Sequence, residues 1–171
     1  LIHFLVLSRG HRPRHRQEVP DVGYDFGVGR EAPTFTLSAV DGSEIRLNQY
    51  RGDWFPVLVF VPTQAPGAAG VLEQLSKAAD TLWGLRGQLV GVCDAGRDEV
   101  KALADGVPGL AFPLLPDDGS VAQQYGALRK DRTLRPMAFI IDRAGKIVWT
   151  GEGEAALKAP TLVAAFRDVV R

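Results

Sequence analysis

The chain has 171 residues, 46% of them hydrophobic and 23% charged, with Lys plus Arg and Asp plus Glu both at 20. That size suits one domain able to bury roughly two-thirds of the surface its unfolded form exposes, and the balanced charge supplies no field toward nucleic acid or anionic membranes. A single cysteine, Cys93, excludes an intrachain disulfide, a Cys-x-x-Cys redox pair and a cysteine-rich zinc site.

Residues 1–27 read as an N-terminal extension, disordered or loosely docked. Leu1 to Leu7 is apolar, and the run Arg9 to Arg16 is basic and contains a proline. This reverses the order of a secretory signal, and the apolar stretch is too short to span a bilayer; the expected location is the cytoplasm. His11 and His15 have the spacing of a helical metal clamp, but Pro13 between them and the cationic neighbours argue against one. No metal or cofactor is expected.

From Val28 onward the pattern is regular. Pro33 to Leu37 alternates like a half-buried strand, and Asp41-Gly42 signals a tight turn before Ile45-Arg46-Leu47, predicting a small hairpin. Val57 to Val61 is an unbroken apolar run, the mark of a strand covered on both faces. Val71, Leu72, Leu75, Ala78, Ala79 and Leu82 have helical spacing, with Gly84 and Gly87 expected to end that helix. Leu89 to Cys93 reads as a second buried strand, followed by a short helix over 98–104. The prolines of Phe112-Pro113-Leu114-Leu115-Pro116 favour an extended segment, and Ser120 is placed to cap a helix running to Tyr125. Ala138 to Asp142 and Lys146 to Trp149 flank Arg143-Ala144-Gly145 as a hairpin, and Pro160 opens a C-terminal helix. The order predicts one α/β domain over 28–171, a mixed sheet with helices on both faces.

Several of these segments, in order, carry a family resemblance: Gly29 to Leu37, Leu47 to Trp54, Val57 to Pro62, Val90 to Asp94, Phe112 to Asp117, Tyr125-Gly126 and Arg135 to Ile147. Together they resemble the peroxiredoxins, the alkyl hydroperoxide reductase and thiol-specific antioxidant family, especially its bacterioferritin-comigratory-like members. The resemblance implies a thioredoxin-like fold and reduction of hydroperoxides by a cysteine thiolate. In that family a Pro-x-x-x-Thr-x-x-Cys segment follows the central strand and opens a helix. The proline shields the sulfur, the threonine orients the peroxide, and the helix N-terminus with a nearby arginine lowers the thiol pKa.

Pro62 matches the proline of that segment, and Arg135 stands where the arginine lies, one residue further from Phe139 than is common. Counted forward from Pro62, the threonine falls on Pro66 and the cysteine on Ala69; counted back from Leu72 and Leu75, the cysteine falls on Ala68. On either count the reactive position is alanine. Pro62 also reads as an ordinary strand terminator, and Arg135 as a loop cation.

Cys93 ends a strand expected beside the one ending at Pro62, on the sheet edge where sites gather in open α/β folds. It reads either as a substitute redox thiol or, with more weight, as a buried packing residue, since Asp94 beside it raises a thiol pKa. Two functions follow from different classes. One is a degenerate family member acting as a non-catalytic binding or partner module; the other is a thiol peroxidase using Cys93. Chemistry favours the first, because no serine, histidine or carboxylate replaces a thiolate in peroxide reduction, and all three histidines lie at or before His15. The expected partners are a thiol reductant or another protein. Homodimerisation through an exposed Trp54 or Phe55 stands as an alternative to burial of both rings.

Overall fold

The computed structural model describes residues 27–171. The proposed extension therefore lies outside the described residues, save Gly27, whose carbonyl accepts the N–H of Arg30 at 2.8 Å.

Strands β1 (Thr36–Ser38) and β2 (Glu44–Arg46) form the predicted antiparallel hairpin, Leu37 opposite Ile45. Its turn uses Gly42 at φ 88°, with the Gly42 N–H donating to the Ala39 carbonyl. The chain continues through β3 (Phe55–Val61), α1 (Ala68–Gly84), β4 (Gly87–Cys93), α2 (Arg97–Asp105) and β5 (Leu114–Pro116). There follow α3 (Ser120–Gln124), β6 (Met137–Ile141), β7 (Ile147–Glu152), a 3-10 turn over Glu154–Leu157 and α4 (Ala159–Val169).

The main sheet has five strands in the order β5-β4-β3-β6-β7. β3, β4 and β5 run parallel, while β6 and β7 pair antiparallel to their neighbours. β3 sits at the centre, and its side chains alternate between two cores. Val57, Val59 and Val61 pack with Leu72, Leu75, Leu82, Leu162 and Phe166 on the face covered by α1, α2 and α4. Leu58 and Phe60 pack with Ile45, Tyr125, Phe139 and Ile147 on the other. Both faces being covered, the strand carries no polar alternation. The second face is closed by the β1–β2 hairpin and short α3. Tyr125 lies at its centre, 5.1 Å from the Phe139 ring and 5.6 Å from Phe60, and its hydroxyl donates to the Pro33 carbonyl at 2.6 Å. That bond ties the N-terminal segment to the sheet, and burial raises the phenol pKa well above its usual range.

Two local expectations change. Ser120 is the first residue of α3 rather than its cap, and its hydroxyl donates to the Asp118 carboxylate. The N–H groups of Val121 and Ala122 are instead satisfied by the buried Asp117 carboxylate, at 3.3 and 3.0 Å. A carboxylate reaches two donors where a hydroxyl reaches one, and its charge suits a helix start. Gly87 does not end α1 either. The left-handed residue of that turn is Arg86, φ 66°, while Gly87 opens β4 where a Cβ would stand 2.8 Å from the Phe166 ring.

Candidate functional site

β3 ends where Pro62 supplies no N–H to continue the ladder. The next residue fixes the exit: the Thr63 N–H and hydroxyl both donate to Asp94 Oδ1 at 3.0 Å, joining the ends of β3 and β4. The chain then crosses to Gly67, held at φ 80°, and α1 begins at Ala68. No side chain caps this helix, and its first turn holds no acidic residue. The Ala68 N–H donates to the Ala65 carbonyl at 3.3 Å, and no charged side chain complements the positive end of the helix.

Between the first turn of α1 and the start of α4 lies a cavity of about 520 Å³. Its walls are predominantly apolar, with Pro62, Pro66, Ala68, Val71, Leu157 and Pro160 among them and Gln74, Glu154 and Lys158 as polar members. No cysteine, serine or threonine belongs to the lining. Ala68 is buried and belongs to the wall, whereas Ala69 is exposed and takes no part. Of the two alanines that the sequence placed at the reactive position, Ala68 is the one that faces the cavity. Pro66, on which the threonine falls, lies in the same wall.

Pro62 and Ala68 line this cavity together, and Arg135 is not among its lining residues. Arg135 is half-buried and lines an adjoining polar groove of about 480 Å³ with Arg129, Lys130, Asp131 and Glu152; Pro136 belongs to both linings. The Arg135 backbone N–H donates to the Ala127 carbonyl at 2.7 Å.

Cys93 lies at the expected end of β4, level with Val61 and Pro116. It is fully buried in the core beneath α1 and α2 and does not line the cavity. Burial, and then the negative charge of Asp94, pushes its thiol pKa up to about 12. A thiol of that kind is almost wholly protonated at neutral pH and has no path to solvent, the opposite of the electropositive, part-exposed setting that activates cysteine.

Sequence reasoning missed four contributors. Thr63 gave no signal as the residue stapling the strand ends, because its partner Asp94 is remote in sequence. Leu157, Lys158 and Pro160 close the cavity from the far end of the chain, where Pro160 had signalled only a helix start. The side chains of Trp54 and Phe55 are half-buried rather than exposed. The Trp54 ring stacks on Trp83 at 4.4 Å, and Phe55 meets Phe166 edge-on at 5.7 Å. His11 and His15 lie outside the described residues. Among the described residues no group of three His, Cys, Asp or Glu side chains is arranged to hold a metal ion, and no helix is long and apolar enough to cross a membrane.

Comparison with known proteins gives this geometry a lineage. The family model described as AhpC/TSA matches residues 28–150. A Mycobacterium tuberculosis protein named as a peroxiredoxin is 31% identical over 130 residues, covering 70% of this chain and 81% of its own. A Coxiella burnetii protein named likewise is 31% identical over 142 residues, covering 71% and 87%. The crystal structure of a peroxidoxin from Mycobacterium tuberculosis superposes with a TM-score of 0.75 at 24% identity, over 84% of this chain and 98% of that one. That likeness shows the thioredoxin-like fold, and the matches in sequence show the family. With its central strand, its helix start at Ala68 and its match over 28–150, the chain belongs to the AhpC/TSA family, the peroxiredoxins.

Proposed function

We propose that this chain is a peroxiredoxin-family protein without thiol peroxidase chemistry, a binding or partner module that uses the cavity at the start of α1. The observation that carries this reading is Ala68, which lines the cavity and is one of the two positions on which the resemblance places the reactive sulfur. A methyl group neither attacks an O–O bond nor accepts its oxygen, so the open end of α1 has no thiolate to stabilise. The burial and raised pKa of Cys93 support the same reading. Pro62 then shapes the wall rather than shielding a sulfur. A cavity of this volume falls in the range of small-ligand sites, roughly 300–1,000 Å³. A lone reduced thiol suits a reducing compartment, and the reading places the protein in the cytoplasm.

A peroxide challenge of the purified chain, followed by mass spectrometry of the Cys93 peptide, tests it. The expected result is no peroxide loss above that of a Cys93→Ser control and an unmodified Cys93. Rapid peroxide consumption that disappears in Cys93→Ser would establish the alternative, a peroxidase built on Cys93. Ala68→Cys provides the converse measurement: a gain of peroxide reactivity in that variant identifies residue 68 as the position whose sulfur was lost.

A further inference from the structure

The charged side chains of the cavity between α1 and α4 are two, and of opposite sign. Glu154 opens the 3-10 turn over Glu154–Leu157 and Lys158 follows it, so an acid and a base both belong to the lining with Leu157 between them in the chain. Both are exposed, and neither side chain has a hydrogen-bond or ion-pair partner among the described residues. Gln74 on α1 is the remaining polar member, and the rest of the lining is aliphatic, proline or glycine. Such a lining excludes several ligand classes. No aromatic ring is present to stack on a flat heterocycle. Three polar side chains, none of them a hydroxyl, leave most donors and acceptors of a sugar unpaired, which is costly once they are buried. A lone carboxylate sets like charge beside Glu154, and a lone amine does so beside Lys158. A molecule carrying both charges satisfies both residues.

We propose, resting on the reading of this cavity as a binding site, that its ligand is a free α-amino acid with a branched aliphatic side chain. Its ammonium group pairs with Glu154 and its carboxylate with Lys158, while the side chain enters the apolar part of the cavity. The start of α1 in the same wall favours the carboxylate further, since no charged side chain complements it. A volume of about 520 Å³ holds such a molecule whole, head group included. The prolines of the wall have their φ angles fixed by their rings, so the apolar surface is formed before the ligand arrives and little ordering entropy opposes binding. Each side-chain methylene buried there strengthens binding by about fourfold.

An amide NMR titration of the full chain tests this, with leucine, isocaproate (leucine without its amine) and isoamylamine (leucine without its carboxylate), each to about 10 mM. Leucine is expected to shift the amides of Gly67, Gly70 and Val71 in the cavity wall and to bind about fivefold more tightly than either matched probe. Alanine, three side-chain carbons shorter, is expected to bind more weakly than leucine by about tenfold or more. Glu154 and Lys158 are exposed, so their substitution spares the fold. Glu154→Gln should abolish the preference for leucine over isocaproate, and Lys158→Gln the preference over isoamylamine. Leucine no better than its matched probes, alanine equal to leucine, or preferences that survive in the two variants would overturn the ligand class and leave the cavity a binding site. Cavity amides unmoved by every probe would overturn the class together with the reading on which it rests.

Discussion

β3 and α1 run side by side across the molecule, and their two ends are finished differently. At the carboxyl end of β3 the chain leaves space: four prolines, Pro62, Pro66, Pro136 and Pro160, share the cavity wall with the small side chain of Ala68. At the amino end it fills the space. Phe55 meets Phe166, Trp54 stacks on Trp83, and Gly87 is so close to the Phe166 ring that a Cβ there would stand 2.8 Å from it. The contrast shows where the fold leaves room and where it leaves none. The cavity is enclosed by chain ends and prolines rather than by interlocking aromatic rings. No comparable freedom exists at the other end, where even a methyl group is in excess.

The largest expected effect breaks the filled end outright. Phe166→Ala empties a fully buried site against Phe55 and Gly87 and should destabilise the fold by about 3–5 kcal/mol, read from urea denaturation. Gly87→Ala is next. Its added methyl group meets the Phe166 ring and, at 3.2 Å, the Cβ of Leu82, both in packed core, and should cost about 1–3 kcal/mol in the same measurement.

The third prediction concerns the thiol buried beneath the open end. The folded state holds the Cys93 proton up to a pKa of about 12, against 9.0 for an ordinary thiol. Below pH 9 the group is protonated in both states and its contribution to stability is fully present. As pH rises from 9 toward 12 the unfolded chain loses the proton first, so that contribution is progressively lost. Stability measured against pH should fall across that window, and Cys93→Ala should flatten the fall; an equal slope in both proteins would refute the assignment to Cys93.

The smallest effect sharpens the comparison most. Ala68→Cys adds one sulfur to a wall with room for it and should change stability by no more than about 0.5 kcal/mol. The introduced thiol should react with iodoacetamide in the native protein, whereas Cys93 should react only after unfolding.

Much of this molecule was legible from residue order alone. The unbroken apolar run of β3 announced a strand covered on both faces, because a half-exposed strand alternates. The spacing of Leu72, Leu75 and Leu82 announced the face of α1 that meets it. That the reactive position holds alanine follows from the sequence on either count, since both candidates are the same residue type. Local periodicity and residue identity are properties a chain carries before it folds.

What the sequence left open was decided by contacts between distant segments. Only the fold puts Ala68 rather than Ala69 in the cavity wall, because which of two successive helical residues faces inward depends on where Gly67 starts the helix and on what α4 brings to the other wall. Only the fold buries Cys93 beneath α1 and α2 and raises its pKa, and only the fold joins Thr63 to Asp94. The same holds for the aromatic rings at the filled end: the sequence pointed to Trp54 and Phe55, but stacking partly covers both and leaves Trp83 outermost. In each case the deciding partner lies far along the chain, where spacing carries no information about distance.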